Sequence, residues 1–174
     1  MAGSLVLLDS VTASTSATVT LGTTDWDNSY NVYMVTFDNV LPDTDASHLD
    51  VRFTKTTDNS IDSSSNYARA VKILKANTSY GTGTSTTAST FYLDYMGTAG
   101  HETANGVLYL FNFNNASEYS FITCETVGRS EEGHSRSYVG SGVLKVTQAT
   151  NGVSFHASSG NIASGKFKLY GLRK

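Results

Sequence analysis

Apolar positions along this chain come in short bursts, most of them alternating with polar ones. Each burst gives way to a run of Ser, Thr, Asn and Gly. No stretch carries the 3.6-residue period of an amphipathic helix, whereas alternation at every second residue marks a strand with two distinct faces. The bursts fall at Leu5–Leu8, Ala17–Leu21, Val32–Phe37, His48–Thr54, Tyr67–Lys75, Phe91–Tyr95, Val107–Phe113, Tyr119–Glu125, Val143–Thr147, Val153–His156 and Lys166–Leu172. Strands this short and this regularly punctuated predict a sandwich or barrel.

Individual runs say more. Val32–Phe37 is apolar on both faces and reads as a central strand. In His48–Thr54, Leu49, Val51 and Phe53 oppose Asp50 and Arg52, which predicts an antiparallel sheet with one side toward solvent. Val107–Phe113 is nearly continuous in apolar residues and is expected to be fully buried. Tyr67–Lys75 reads as a strand, although its Ala-Arg-Ala-Val-Lys-Ile-Leu-Lys core also fits two helical turns. Asn77–Ser89 is expected to be a mobile loop, and Arg129–Arg136 an exposed hairpin tip. So many strands must pack as two sheets. The predicted fold is all-β, an antiparallel two-sheet β-sandwich of jelly-roll-like type. Residues 1–174 form one domain, with residues 1–10 as a docking arm or first strand. Its core is expected to hold Val35, Phe37, Leu49, Val51, Phe53, Leu108, Leu110, Phe121, Val153, Phe155, Phe167 and Leu169.

Composition sharpens this picture. Charged residues are 16% of the chain, against roughly 25% in typical domains. With 23 Ser and 23 Thr, hydroxyls replace charges on the surface. A net charge of −3 leaves no basic footprint, so no nucleic-acid partner is expected. No run approaches the ~20 apolar residues of a membrane span, and Met1-Ala2-Gly3-Ser4 lacks the basic region of a secretory signal. The single cysteine, Cys124, excludes an intramolecular disulfide framework and reads as a small core hydrophobe.

Chemistry-bearing motifs are scarce. There is no G-x-S-x-G elbow. His101-Glu102 opens an H-E-x-x-H string, but position 105 is Asn. His48, His101, His134 and His156 are scattered among turns and strand ends. Gly81–Ser85 lacks the lysine and following helix of a phosphate loop. The expectation is a non-enzymatic protein with no cofactor. Asp25, Asp27 and Asn28 in one turn, and Asp43 and Asp45 in another, carry the oxygens that calcium uses. Asp and Asn in turns more often cap the local backbone, and there is no twelve-residue calcium loop. Asn77-Thr78-Ser79 and Asn115-Ala116-Ser117 match the glycosylation acceptor pattern, which chance supplies in so hydroxyl-rich a chain. Carbohydrate contact through aromatic faces is the stronger alternative. Among Trp26, Tyr30, Tyr80, Tyr92, Tyr95 and Tyr138, the candidates retained for a ligand or receptor contact are Trp26, Tyr30, Tyr80 and Tyr138.

Three segments carry a resemblance. They are Thr24-Asp25-Trp26-Asp27-Asn28-Ser29-Tyr30 with Val35-Thr36-Phe37-Asp38-Asn39-Val40-Leu41-Pro42, then Leu49–Phe53, and the closing Ser159-Gly160-Asn161-Ile162-Ala163-Ser164-Gly165-Lys166-Phe167-Lys168-Leu169-Tyr170-Gly171. Together they resemble a family of small bacteriophage proteins of marine and cyanobacterial phages, which occur alone or as terminal modules of tail-fibre-like virion proteins. The resemblance is clearest over residues 4–54 and 143–172, and residues 76–105 diverge. It implies a jelly-roll module on a virion, assembled in the host cytoplasm and docked on other virion proteins. It also implies a homo-oligomer, most often a trimer, with no catalytic residues to transfer. Two roles follow: a structural component of an appendage or head decoration, or a receptor-binding module touching host surface glycan. The closing Arg173-Lys174 departs from the family and suggests a local docking contact.

Overall fold

The computed structural model describes residues 4–77 and 79–172. Its strands are Leu5–Ser16 (β1), Val19–Gly22 (β2), Val32–Pro42 (β3), Ser47–Lys55 (β4), Tyr67–Lys75 (β5), Tyr80–Ala88 (β6), Phe91–Met96 (β7), Ala104–Phe111 (β8), Ser120–Arg129 (β9), Ser135–Leu144 (β10), Thr150–Ala157 (β11) and Ile162–Leu172 (β12). One 3-10 turn, Thr23–Asp25, follows β2. Of the residues expected as a docking arm or first strand, Leu5–Ser10 belong to the first strand. Met1–Gly3, Thr78 and the Arg173-Lys174 pair lie outside the described residues.

An eight-stranded sheet, ordered β1-β12-β3-β8-β9-β10-β5-β6, packs on a four-stranded one, ordered β2-β11-β4-β7. The pairings nest. β1 pairs β12, β2 pairs β11, β3 pairs β8 and β4 pairs β7, all antiparallel. A long hairpin rolled so that successive strands alternate between two sheets gives this order, which is the jelly-roll topology. The hairpins β5–β6 and β9–β10 are inserted into the roll. They widen one sheet beyond β8, in the order β9-β10-β5-β6.

Eleven of the twelve expected core residues are buried, and Cys124 is buried with them. Phe37, Phe155 and Phe167 meet at the centre of the roll, their ring centroids 6.0, 6.3 and 4.9 Å apart. Phe121 is the exception, 42% exposed. Its neighbours Ser120 and Ile122 take the inward positions of β9, so the alternation turns the ring outward. The same alternation corrects Val107–Phe113. Leu108, Leu110 and Phe113 are buried, whereas Tyr109 faces out and Val107 is half-buried, because one side of the large sheet is uncovered.

Three further expectations change. Asn77–Ser89 is not a loop, since Tyr80–Ala88 pairs along β5 and closes that edge of the sheet. Its threonines suit a pleated strand although no apolar residue stands between Tyr80 and Ala88. Of Val143–Thr147 only Val143 and Leu144 are strand, the tail of one that begins at Ser135, and beyond it the Lys145 amide donates to the Asn66 carbonyl at 3.0 Å. In His48–Thr54 the polar side is not open to water, because Asp50 and Thr54 are buried and His48 and Arg52 half-buried. Tyr67–Lys75 is a strand throughout. Arg129–Arg136 forms the β9–β10 hairpin tip, but the Arg136 side chain folds inward and is buried.

Candidate functional site

Two polar assemblies stand apart from the core. The first is an asparagine-lined cleft of about 350 Å³ at one end of the roll, bordered by Tyr30, Asn31, Asn112, Phe113, Asn114 and Asn115. The chain reaches it through the turn after β2. Gly22 has φ +89°, and a Cβ there would lie 2.7 Å from the Asn151 carbonyl oxygen and 2.9 Å from the Trp26 ring. Only glycine fits that approach. Trp26 then lies on Tyr33, with centroids 3.9 Å apart, and stacks toward Phe113 at 5.5 Å. Asn114 locks the loop. Its Oδ1 accepts from the Trp26 indole N–H at 2.6 Å, and its Nδ2 donates to the Tyr33 hydroxyl at 2.7 Å and the Tyr30 carbonyl at 3.1 Å. Burial raises the Tyr33 pKa, so the phenol stays neutral. Asn31, by contrast, is exposed at the mouth, and its amide makes no hydrogen bond within the described residues. An amide beside aromatic edges is suited to a polyhydroxylated ligand.

The second assembly lies where the inserted hairpins meet β4 and β7. Arg69 lies 4.0 Å over the Tyr92 ring, and Tyr92 lies 5.1 Å from His48. His48 is 4.8 Å from Tyr95, over which Arg136 sits at 5.0 Å. This ladder of cations and rings staples β5 and β10 to the smaller sheet. Beside it Asp50, buried, has its pKa pushed up to about 7 by desolvation, with Arg69 and Arg52 opposing. His156 is held down to about 4, by burial first and then by Arg52. The imidazole is thus neutral at pH 7. Its Nε2 lies 3.8 Å from the Asp50 Oδ2, too long for a hydrogen bond and within ion-pair reach only when the imidazole is protonated. Asp94, 0% exposed, is likewise raised to about 7 by burial, and its Oδ2 has no hydrogen-bond partner.

The four candidate contact residues separate. Tyr30 borders the asparagine cleft but is buried, and Trp26 lies behind it, bonded to Asn114 with one face of the indole covered by Tyr33. Tyr80 is 72% exposed, on the edge strand β6, with Lys72 Nζ 5.4 Å over its ring. Tyr138 is 1% exposed, edge-on to Tyr92, so it is a core residue and not a surface contact. Its inward place on β10 explains the difference, since Ser137 and Val139 take the outer positions. Asn31 and Asn114 were not among the candidates. The signal was the run Asn112-Phe113-Asn114-Asn115 at the end of an apolar strand.

The acidic turns cap backbone. Asp43 Oδ1 accepts from the Asn161 amide at 2.8 Å and its Oδ2 from the Asn161 side chain at 3.0 Å, which holds the carboxyl below its usual pKa. Asp45 accepts from the Thr98 amide and Asp27 from the Ser29 amide. Among the described residues no three His, Cys, Asp or Glu side chains gather as a metal site. Compared with models of protein families, with curated proteins and with solved structures, the chain matches none.

Proposed function

We propose that this chain is a non-enzymatic structural module on the surface of a bacteriophage particle, an appendage piece or head decoration. It docks on other virion proteins, works as a homo-oligomer and is assembled in the host cytoplasm. The observation that carries this reading is a jelly roll whose widened sheet turns apolar side chains outward, among them Phe121, Val127 and Val139. Patches of that kind on a folded domain mark surfaces meant for another protein. Jelly rolls serve in viral coats, although a fold by itself does not assign a role. The resemblance of the β3 approach and of β12 to phage virion proteins supplies the particle.

The test is direct. In particles purified from an infected culture, mass spectrometry is expected to find the chain at fixed stoichiometry, and a cryo-electron map to contain its twelve-strand outline. A chain abundant in the lysate but absent from the particles overturns the proposal.

A second reading, host glycan recognition, is favoured by the asparagine cleft and its unpartnered Asn31. On a glycan array, binding lost in Asn31→Ala with an unchanged melting temperature supports it, and no bound glycan for the native chain removes it.

A further inference from the structure

We infer that two copies of this chain associate face to face through the outer surface of β9, β10 and β5, about a two-fold axis running along β10. The pairing follows from the sheet register and does not depend on where the chain works.

Strand partners place outward residues in rows across the sheet. Val139 on β10 pairs with Glu125 on β9 and with Lys72 on β5. One row away, Ser137 pairs with Val127 and Leu74. In the other direction, Val143 pairs with Phe121 and Ala68. Rotation about a line along β10 exchanges left with right and keeps the row. Each β9 then faces the partner's β5.

These three rows become complementary under that operation. Glu125 lies over a partner Lys72, and the contact occurs twice. Both residues are exposed, and Glu125 has no ion-pair partner among the described residues. Val127 and Leu74, both exposed apolar side chains, cover each other. Phe121 enters a shallow hollow of about 390 Å³ floored by Ala68, Ala70, Ser141 and Val143. A large ring over small residues is the packing that a sheet-on-sheet contact needs. A three-fold ring, the expectation from the phage resemblance, joins two different patches and gives this self-complementarity no role.

The extent suffices. The contact is centred on β9, β10 and β5 and reaches β8 and β6 at its margins, so that five strands at ~4.8 Å spacing span ~24 Å, and about eight residues at ~3.3 Å give ~26 Å. That amounts to ~600 Å² from each copy, or ~1,200 Å² in all, the lower bound of stable interfaces.

Sedimentation equilibrium on the native chain and three variants decides the matter. The native chain is expected to dimerise at micromolar concentration. Glu125→Lys and Lys72→Glu, each of which sets like charges against each other twice, should weaken the dimer at least about ten-fold. The double exchange E125K/K72E should return it to within about a factor of three of native. Both positions of exchange, Glu125 and Lys72, are exposed, and recovery in the double variant shows that the fold is intact. A native monomer, a native trimer, or single reversals that leave the dimer unchanged would each overturn the pairing.

Discussion

The roll proper and its two inserted hairpins solve the same packing problem with different chemistry. Between β3, β11 and β12 the sheets are joined by Phe37, Phe155 and Phe167, with no polar side chain in the cluster. Between β5, β10, β4 and β7 they are joined by Arg69, Tyr92, His48, Tyr95 and Arg136 in a stacked ladder, with Asp50 and Asp94 buried beside it. Backbone approach also differs. A Cβ on Gly142 would lie 2.3 Å from the Phe91 ring, so β7 is pressed onto β10 where a side chain is missing. The aromatic cluster draws its stability from area removed from water and does not change with pH. The ladder depends on which of its members are charged. The titrating groups His48, Asp50 and Asp94 stand on β4 and β7 of the roll itself, and the inserted hairpins supply the two arginines, Arg69 and Arg136, that pack over the rings there.

The largest expected effect lies in the roll. Phe155→Ala should cost about 3–5 kcal/mol in urea unfolding, because the ring is fully buried between two others. A loss below about 1 kcal/mol would mean that the two regions do not differ in this way.

The next effect lies in the ladder and depends on pH. Asp50 and Asp94 bind their protons more tightly folded than unfolded, so the stability they add is complete below pH about 4 and is lost as the pH rises through about 7. His156 runs oppositely: its contribution is complete above its ordinary pKa of 6.5 and is lost as the pH falls through about 4. Asp94→Asn should therefore flatten the decline between about pH 5 and pH 8, and should exceed the native stability at pH 8 by at least about 1 kcal/mol. Unfolding curves at the two pH values measure this, and a variant with the native slope would show that Asp94 is not desolvated.

The smallest effect is the exposed counterpart of the ladder. Lys72 over Tyr80 repeats the Arg69–Tyr92 contact in full solvent. Tyr80→Ala should change stability by no more than about 0.5 kcal/mol, read by thermal unfolding, whereas cation–ring contacts gain strength when desolvated.

Alternation along Val32–Phe37 and His48–Thr54 made the roll legible, because one side of each strand is apolar without exception. The hairpin β5–β6 was half hidden. Tyr67–Lys75 carries Val71 and Ile73 at strand spacing, but Tyr80–Ala88 is held mainly by pairing along β5 and has no apolar residue between its two ends. Phe121 was misplaced because hydrophobicity does not say which face of a strand is covered. The ladder was hidden for a related reason. Arg136 was expected in an exposed hairpin tip and Arg69 within a strand of no assigned role, and only pairing of distant strands brings them over Tyr95 and Tyr92. Trp26 was legible as an aromatic at a turn, and the asparagines that fix it were not, since their partners are chosen by the fold.

The nesting of β12 between β1 and β3 has a consequence for how the chain reaches this state. Leu5 pairs with Leu172, and Phe37 with Phe167. Until β12, the latest strand described here, has left the ribosome, β1 lacks its sheet neighbour and β3 has only β8. The inserted hairpins can close locally in microseconds, but the sheet that anchors them waits for contacts between the two ends of the sequence, the slowest kind to form. Until then β1 and β3 are exposed edges in search of a partner, and a nascent chain in this state is most vulnerable to pairing with a neighbour on the same messenger.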